Sequence, residues 1–154
     1  MTTIRRMRVD ESPVLRQLTK EGIAREAAAH PEDRIGITEA GLDNLETHYR
    51  LGAVHPDLIT LVAETDGAIV GFVDAEITHG RSLPGVSGEI GDLYLAEGVS
   101  PEVAEALARE AVKQLRDRGV RAIFHTEDAD RPEREPWESL GFEADVVRFS
   151  LYGD

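Results

Sequence analysis

The sequence predicts a single α/β domain, a mixed sheet with helices on its faces, and three observations carry that prediction. Runs of strand and helix character follow one another in the order β-α-α-β-β-β-α-β-α-β. Asp66-Gly67 separates two strand runs and marks a tight hairpin, which makes those neighbours antiparallel. The amphipathic stretch 100–118 separates two other strand runs, and a helix of that length is the connection that parallel strands need. Hairpin and crossover together give a mixed sheet that must cover its faces with helices. A chain of 154 residues, 41% hydrophobic and 31% charged, suits one globular domain over 1–154.

Residues 3–9 read as the first strand. Ser12-Pro13 marks a helix start, with a hydroxyl to cap the first turn and Pro at the first helical position, where its missing N–H costs nothing. That helix runs to about Ala29 and ends at His30-Pro31, because a residue before proline is pushed out of the helical region. Residues 38 to about 51 form a second helix: Leu42, Leu45 and Tyr49 recur at helical spacing and Gly52 stops it. Residues 59–64 and 68–77 are the hairpin strands, 79–87 a loop and 88–95 the next strand. In 100–118, Val103, Ala104, Leu107, Ala108, Ala111, Val112 and Leu115 make one apolar stripe, Glu105 and Arg109 pair on the opposite face, and Gly119 closes the helix. Residues 121–126 form a strand of buried type and 128–136 a polar, proline-broken stretch. "WESLGF" at 137–142 is a short helix ended by Gly141, and 146–152 is a final strand.

A formal net charge of −13 with no basic stripe argues against nucleic acid and anionic membrane surfaces as partners. An acidic surface keeps a protein soluble and also attracts amines and polyamines. There is no Cys, which excludes disulfides and thiolate chemistry. The first ten residues hold three Arg but no apolar signal-peptide core, and no apolar run approaches a membrane span, so a cytoplasmic protein is expected. His30, His48, His55, His79 and His125 show no metal-binding spacing, and no metal is expected.

The element order, "GEIGDLYL" at 88–95, a helix ending in "LRDRGV" at 115–120, and "WESLGF" at 137–142 together resemble the GNAT superfamily of acyl-CoA-dependent N-acyltransferases over nearly the whole chain. The resemblance implies an α+β fold: a mixed, mostly antiparallel sheet with two splayed parallel central strands, here 88–95 and 121–126, and helices on both faces. It implies acetyl-CoA or another acyl-CoA as co-substrate, lying in the gap between those strands. Backbone groups near Tyr94 and Leu95 would bond the pantetheine arm. The loop and helix start at Ser100, Val103 and Ala104 would hold the diphosphate, since orphan N–H groups and the helix dipole favour an anion. A small-molecule amine would attack the thioester directly, helped by a base. Glu89 stands where the family often keeps that base, and apolar neighbours whose burial would desolvate it favour the role. Asp92, of opposite strand parity, is expected on the other face.

Several positions depart from the family pattern. Its Gly-x-Gly-x-Gly/Ala falls on Ser100-Pro101-Glu102-Val103-Ala104, where only Ala104 fits; Ser100 reads as a helix cap, Pro101 lacks an N–H and Glu102 brings a carboxylate. From 82 to 108 there are five acids and no Lys or Arg. Trp137, a candidate cofactor contact, stands where the family has a Tyr acid, leaving water, Tyr94 or Tyr152 to protonate the thiolate. Arg131 and Arg134 follow the second splayed strand on the nucleotide side and are candidate phosphate ligands. His125, at the end of that strand, lies near the expected cleft and reads as structural. Two functions stand open on these residues: an N-acyltransferase acting on a small amine, or a catalytically inactive binding or dimerisation module of the same fold with weak or no CoA binding, for which a second copy of the chain is the candidate partner.

Overall fold

A computed structural model describes residues 1–32, 36–79, 86–127 and 136–145. Among the described residues the sheet has five strands in sequential order: β1 (Thr2–Arg6), β2 (Leu58–Thr65), β3 (Ala68–Thr78), β4 (Ser87–Leu95) and β5 (Ala122–His125). The first four are antiparallel to their neighbours and β5 is parallel to β4. The β2–β3 hairpin turns on Asp66 and Gly67, both with positive φ (52° and 81°), the backbone that a two-residue turn matching strand twist requires. The strand expected at 146–152 lies outside the described residues.

Among the described residues, three α-helices cover the sheet: α1 (Ser12–Ala29), α2 (Glu39–Leu51) and α3 (Pro101–Asp117). Strand alternation sorts the core into two layers. Ile59, Leu61 and Ala63 of β2, Val73 and Ala75 of β3, and Ile90 of β4 face α3, where they meet Leu107, Ala108, Ala111 and Leu115. Val62 and Phe72, one residue out of phase, face α1 and α2 and pack with Leu15, Leu18 and Tyr49. Each fully buried leucine contributes about 2 kcal/mol of transfer free energy. Among the described residues, no helix is long and apolar enough to cross a membrane.

The expected helix ends hold at Thr38, whose Oγ1 accepts from Gly41 N (3.0 Å), at Ser100, and at Gly119 with φ 84°. Ser12 does not cap α1. The first strand stops at Arg6, and a 3₁₀ turn over Val9–Glu11 runs straight into the helix, so Glu11 occupies the cap position. The Ser12 hydroxyl donates instead to Glu46 of α2 (3.1 Å). Glu11 receives the Arg8 N–H (2.8 Å) and two contacts from Arg5 (2.6 and 3.0 Å). This lowers its carboxyl from 4.5 to about 2, chiefly through the Arg5 hydrogen bond.

Candidate functional site

β4 and β5 pair over only four positions, from Ser87↔Ala122 to Ile90↔His125. β5 then stops while β4 continues to Leu95, so the parallel strands part at their C-terminal ends. A cleft of about 970 Å³ opens there, bounded by α1, the end of β4, the loop 96–100, the start of α3 and Glu127. Ala96 N–H donates to Val70 O (2.8 Å), which turns the backbone groups of Leu93 and Leu95 away from β3 and toward the gap. Leu95 O accepts a 2.6 Å bond there from Arg25 of α1. The alternation gives the second gap-facing position to Leu93 and turns the Tyr94 backbone to β3, so of the expected pair Leu95 has its backbone in the gap and Tyr94 its ring in the cleft. The Tyr94 ring lines the cleft and presses on α1 so closely that a Cβ at Gly22 would lie 2.2 Å from its Cδ1. Burial, reinforced by nearby carboxylates with Asp92 first, pushes its phenol upward.

The loop end carries few free donors. Ser100 Oγ accepts from Glu102 N (3.4 Å), Val103 N donates to Ser100 O (3.0 Å), and Pro101 has no N–H. Among the described residues, this leaves the N–H groups of Glu97, Gly98 and Ser100 for an anion. Ala104 lines the cleft together with Pro101 and Glu102, whereas Val103 packs into the α3 core. Among the described residues, five carboxylates border the cleft: Glu26, Glu97, Glu102, Glu105 and Glu127. Against them stand Arg25 and His30.

A bulge shapes β4 just beyond its paired stretch. Val73 pairs with Leu93 and Ala75 with Ile90, so Asp74 alone faces both Gly91 and Asp92. A side chain at 91 would press on Asp74, since a Cβ there would lie 2.9 Å from Asp74 Oδ1. The extra residue reverses the parity beyond it. Glu89 lies between Gly88 and Ile90, which face α3, and so points to the α1/α2 side. Asp92 points to the same side, where it accepts the Tyr49 hydroxyl proton (2.7 Å). The expected separation of the two carboxylates onto opposite faces is therefore corrected.

Their environments differ. Glu89 is exposed, opposite Glu76, so the expected burial is absent. Asp92 is half-buried; its N–H donates to Asp74 Oδ1 (2.5 Å), and Asp74 Oδ2 meets His48 Nε2 (3.2 Å). Burial first, then the Asp74 charge, pushes the Asp92 carboxyl above the usual carboxylate range. The Asp74 hydrogen bond raises His48 against the opposing effect of burial. Of the carboxylates on β4, Asp92 is the one at the point of parting and in a desolvated setting.

Trp137 is 7% exposed and stacks on His125 (ring centroids 3.7 Å apart), away from the cleft lining. His125 Nδ1 lies 2.8 Å from Ile90 O and Nε2 2.6 Å from Glu127, so it ties the end of β5 to β4 where the strands separate. Arg131, Arg134 and Tyr152 lie outside the described residues. Among the described residues no group of three or more His, Asp and Glu could hold a metal ion. Sequence reasoning missed Arg25, whose partner is 70 positions away, and Asp92, whose placement depends on an extra residue; only the small Gly91 beside it hinted at a bulge.

The family model described as "Acetyltransferase (GNAT) family" matches residues 28–142. Among solved structures, the chain is similar to a predicted acetyltransferase with acetyl-CoA from Clostridium acetobutylicum: 15% identity, TM-score 0.78, covering 99% of this chain and 96% of that one. It is similar to the aminoglycoside N-acetyltransferase AAC(6')-Iy in complex with CoA: 17% identity, TM-score 0.74, 100% and 95% covered. A third is an aminoglycoside acetyltransferase from an uncultured soil metagenomic sample in complex with sisomicin: 16% identity, TM-score 0.64, 99% and 97% covered. At these identities the likeness shows the fold. No curated protein matches the chain in sequence.

Proposed function

From the premise that this chain belongs to the acetyltransferase (GNAT) family, we propose that it transfers an acetyl or other acyl group from acyl-CoA to a small amine by direct attack on the thioester. One observation carries the reading: two parallel strands part after four paired positions, and a cleft of about 970 Å³ opens where they part, beside gap-facing Leu93 and Leu95 backbone. Neighbours of the same fold are described with CoA, acetyl-CoA or an aminoglycoside, which supports an acyl-CoA donor and an amine acceptor.

The fit of this cleft to acyl-CoA is uneven. The gap-facing backbone suits a pantetheine amide chain, while the acid-rich loop end with its capped first turn suits phosphates poorly. Bound acyl-CoA supplies the activated thioester; the chain supplies position and proton handling. In this reading Leu93 and Leu95 hold the arm, and the N–H groups of Glu97, Gly98 and Ser100, with Ala104 packing beside them, meet the phosphate end. Arg131 and Arg134 are further candidates there. Asp92 takes the proton from the attacking ammonium. Tyr49 orients that carboxylate by donating to Oδ2, and Asp74 fixes its backbone. Glu89, exposed on the same side, meets the cationic amine as it enters. Tyr94, which keeps its phenolic proton at neutral pH, faces the departing thiolate.

The test is thiol release from acetyl-CoA across a panel of amines, aminoglycosides and polyamines. Turnover with at least one acceptor, saturable in both substrates, is expected. No release above background across the panel, together with weak or no binding of acetyl-CoA, would instead support the non-catalytic module.

A further inference from the structure

We propose that Arg25 supplies, from α1, the cation that holds the phosphate groups of acyl-CoA in this cleft, a task the loop before α3 is poorly equipped to perform. The inference rests on the acyl-CoA reading above. Three observations lead to it. First, the N-terminal turn of α3 has little left for an anion: Pro101 has no N–H, Ser100 Oγ takes that of Glu102, and Ser100 O takes that of Val103. A helix start normally attracts phosphate through such orphan donors, so the attraction here is weakened at its source. Second, the wall near the loop carries carboxylates, Glu97, Glu102 and Glu105, whose charge opposes a diphosphate. An anion held there requires a cation from another element.

Third, Arg25 has the position and the spare capacity. It is the only Arg or Lys among the described residues that line the cleft. Among the described residues it makes no ion pair, whereas Arg5, Arg8, Arg16, Arg50 and Arg109 all do. Its guanidinium reaches across the gap to Leu95 O at 2.6 Å, one residue before the loop begins. That bond uses one of five N–H donors and leaves the rest of a planar fork able to meet phosphate oxygens. A carbonyl partner also leaves the positive charge uncompensated, unlike a carboxylate.

The experiment is calorimetric titration of the full chain with CoA, at low and moderate salt, for wild type, Arg25→Gln and Arg25→Lys. Arg25→Gln is expected to weaken binding roughly tenfold or more at low salt, with the difference shrinking as salt rises, because a charge contact is screened. Arg25→Lys is expected to recover part of the affinity, as a point charge without the fork. Unchanged affinity in Arg25→Gln, or a loss independent of salt with no recovery in Arg25→Lys, overturns the proposal while leaving the acyl-CoA reading in place. Wild type that binds no CoA overturns both. Thermal melting of each variant separates a binding loss from a folding loss, and equal melting temperatures are expected because Arg25 is exposed.

Discussion

Asp92→Asn separates the two carboxylates of β4 most cleanly. The amide has the shape of the carboxylate and can still accept the Tyr49 hydroxyl, so the 2.7 Å bond and the bulge are retained. What is lost is the negative charge and the capacity to take a proton. General-base contributions are typically about 10²-fold or more, so kcat/KM should fall by roughly 10²-fold, about 2.7 kcal/mol of transition-state stabilisation. The pH profile carries the sharper signature. Burial and the Asp74 carboxylate push the Asp92 carboxyl up, so the wild-type activity should fall with acid at a pH above the ordinary carboxylate range. In Asp92→Asn that limb should flatten. Stability moves oppositely. A carboxyl whose folded-state pKa is raised favours folding when protonated, and that contribution is lost as pH rises through the folded value. At neutral pH the charged Asp92 therefore sits at a cost, and Asp92→Asn should melt higher than wild type. The assay is thiol release from acetyl-CoA over a pH series, with Glu89→Gln in parallel. Glu89→Gln should raise KM for the amine and leave the acidic limb in place. A 10²-fold loss in Glu89→Gln with Asp92→Asn near wild type would refute the assignment and return the base to Glu89.

Glu102→Gln removes a carboxylate from the cleft wall and keeps the helix, so CoA affinity should rise about fivefold at low salt and less at high salt; a fall would show that the acid helps to position the cofactor. Gly22→Ala places a Cβ 2.2 Å from the Tyr94 ring, so α1 or Tyr94 must move, at about 1–3 kcal/mol of stability, and KM for acyl-CoA should rise; an unchanged melting temperature would contradict the close approach. Glu11 carries acid sensitivity. Its carboxyl falls from 4.5 to about 2 in the fold, so its contribution, about 3 kcal/mol by linkage, is present above pH 4.5 and lost as pH falls toward 2. Glu11→Gln should therefore be less stable than wild type at pH 7 in denaturant titrations, with the gap closing below pH 4; a gap that persists into acid would point to packing instead.

The frame was legible because local signals agreed with the fold. Asp66-Gly67 demanded a turn, Thr38 and Ser100 are caps in fact, and the alternation through β2 sorts Leu61 and Val62 to opposite layers. The Ser12 cap failed because the chain enters α1 through a 3₁₀ turn, and the hydroxyl found a tertiary partner in Glu46. The site was less legible for a related reason. Counting parity along β4 presumes an unbroken pleat, and the bulge that seats Gly91 against Asp74 reverses every side chain beyond it. Asp92 thus changed faces, and the buried setting expected for Glu89 fell to Asp92 instead. Trp137 packs on His125 through a contact that sequence spacing does not show, and Arg25 crosses the cleft to a strand far away in the chain.

In the proposed function, acyl-CoA lies in the gap where β4 and β5 part. The most direct test of that central claim is a titration of isotopically labelled protein with acetyl-CoA, followed by backbone amide resonances. Saturable shifts should concentrate at Leu93, Leu95, Glu97, Gly98 and Ser100, with the β1 and β2 amides on the far side of the sheet unmoved. Saturable shifts confined to another surface, or no shifts at millimolar acetyl-CoA, would contradict the claim.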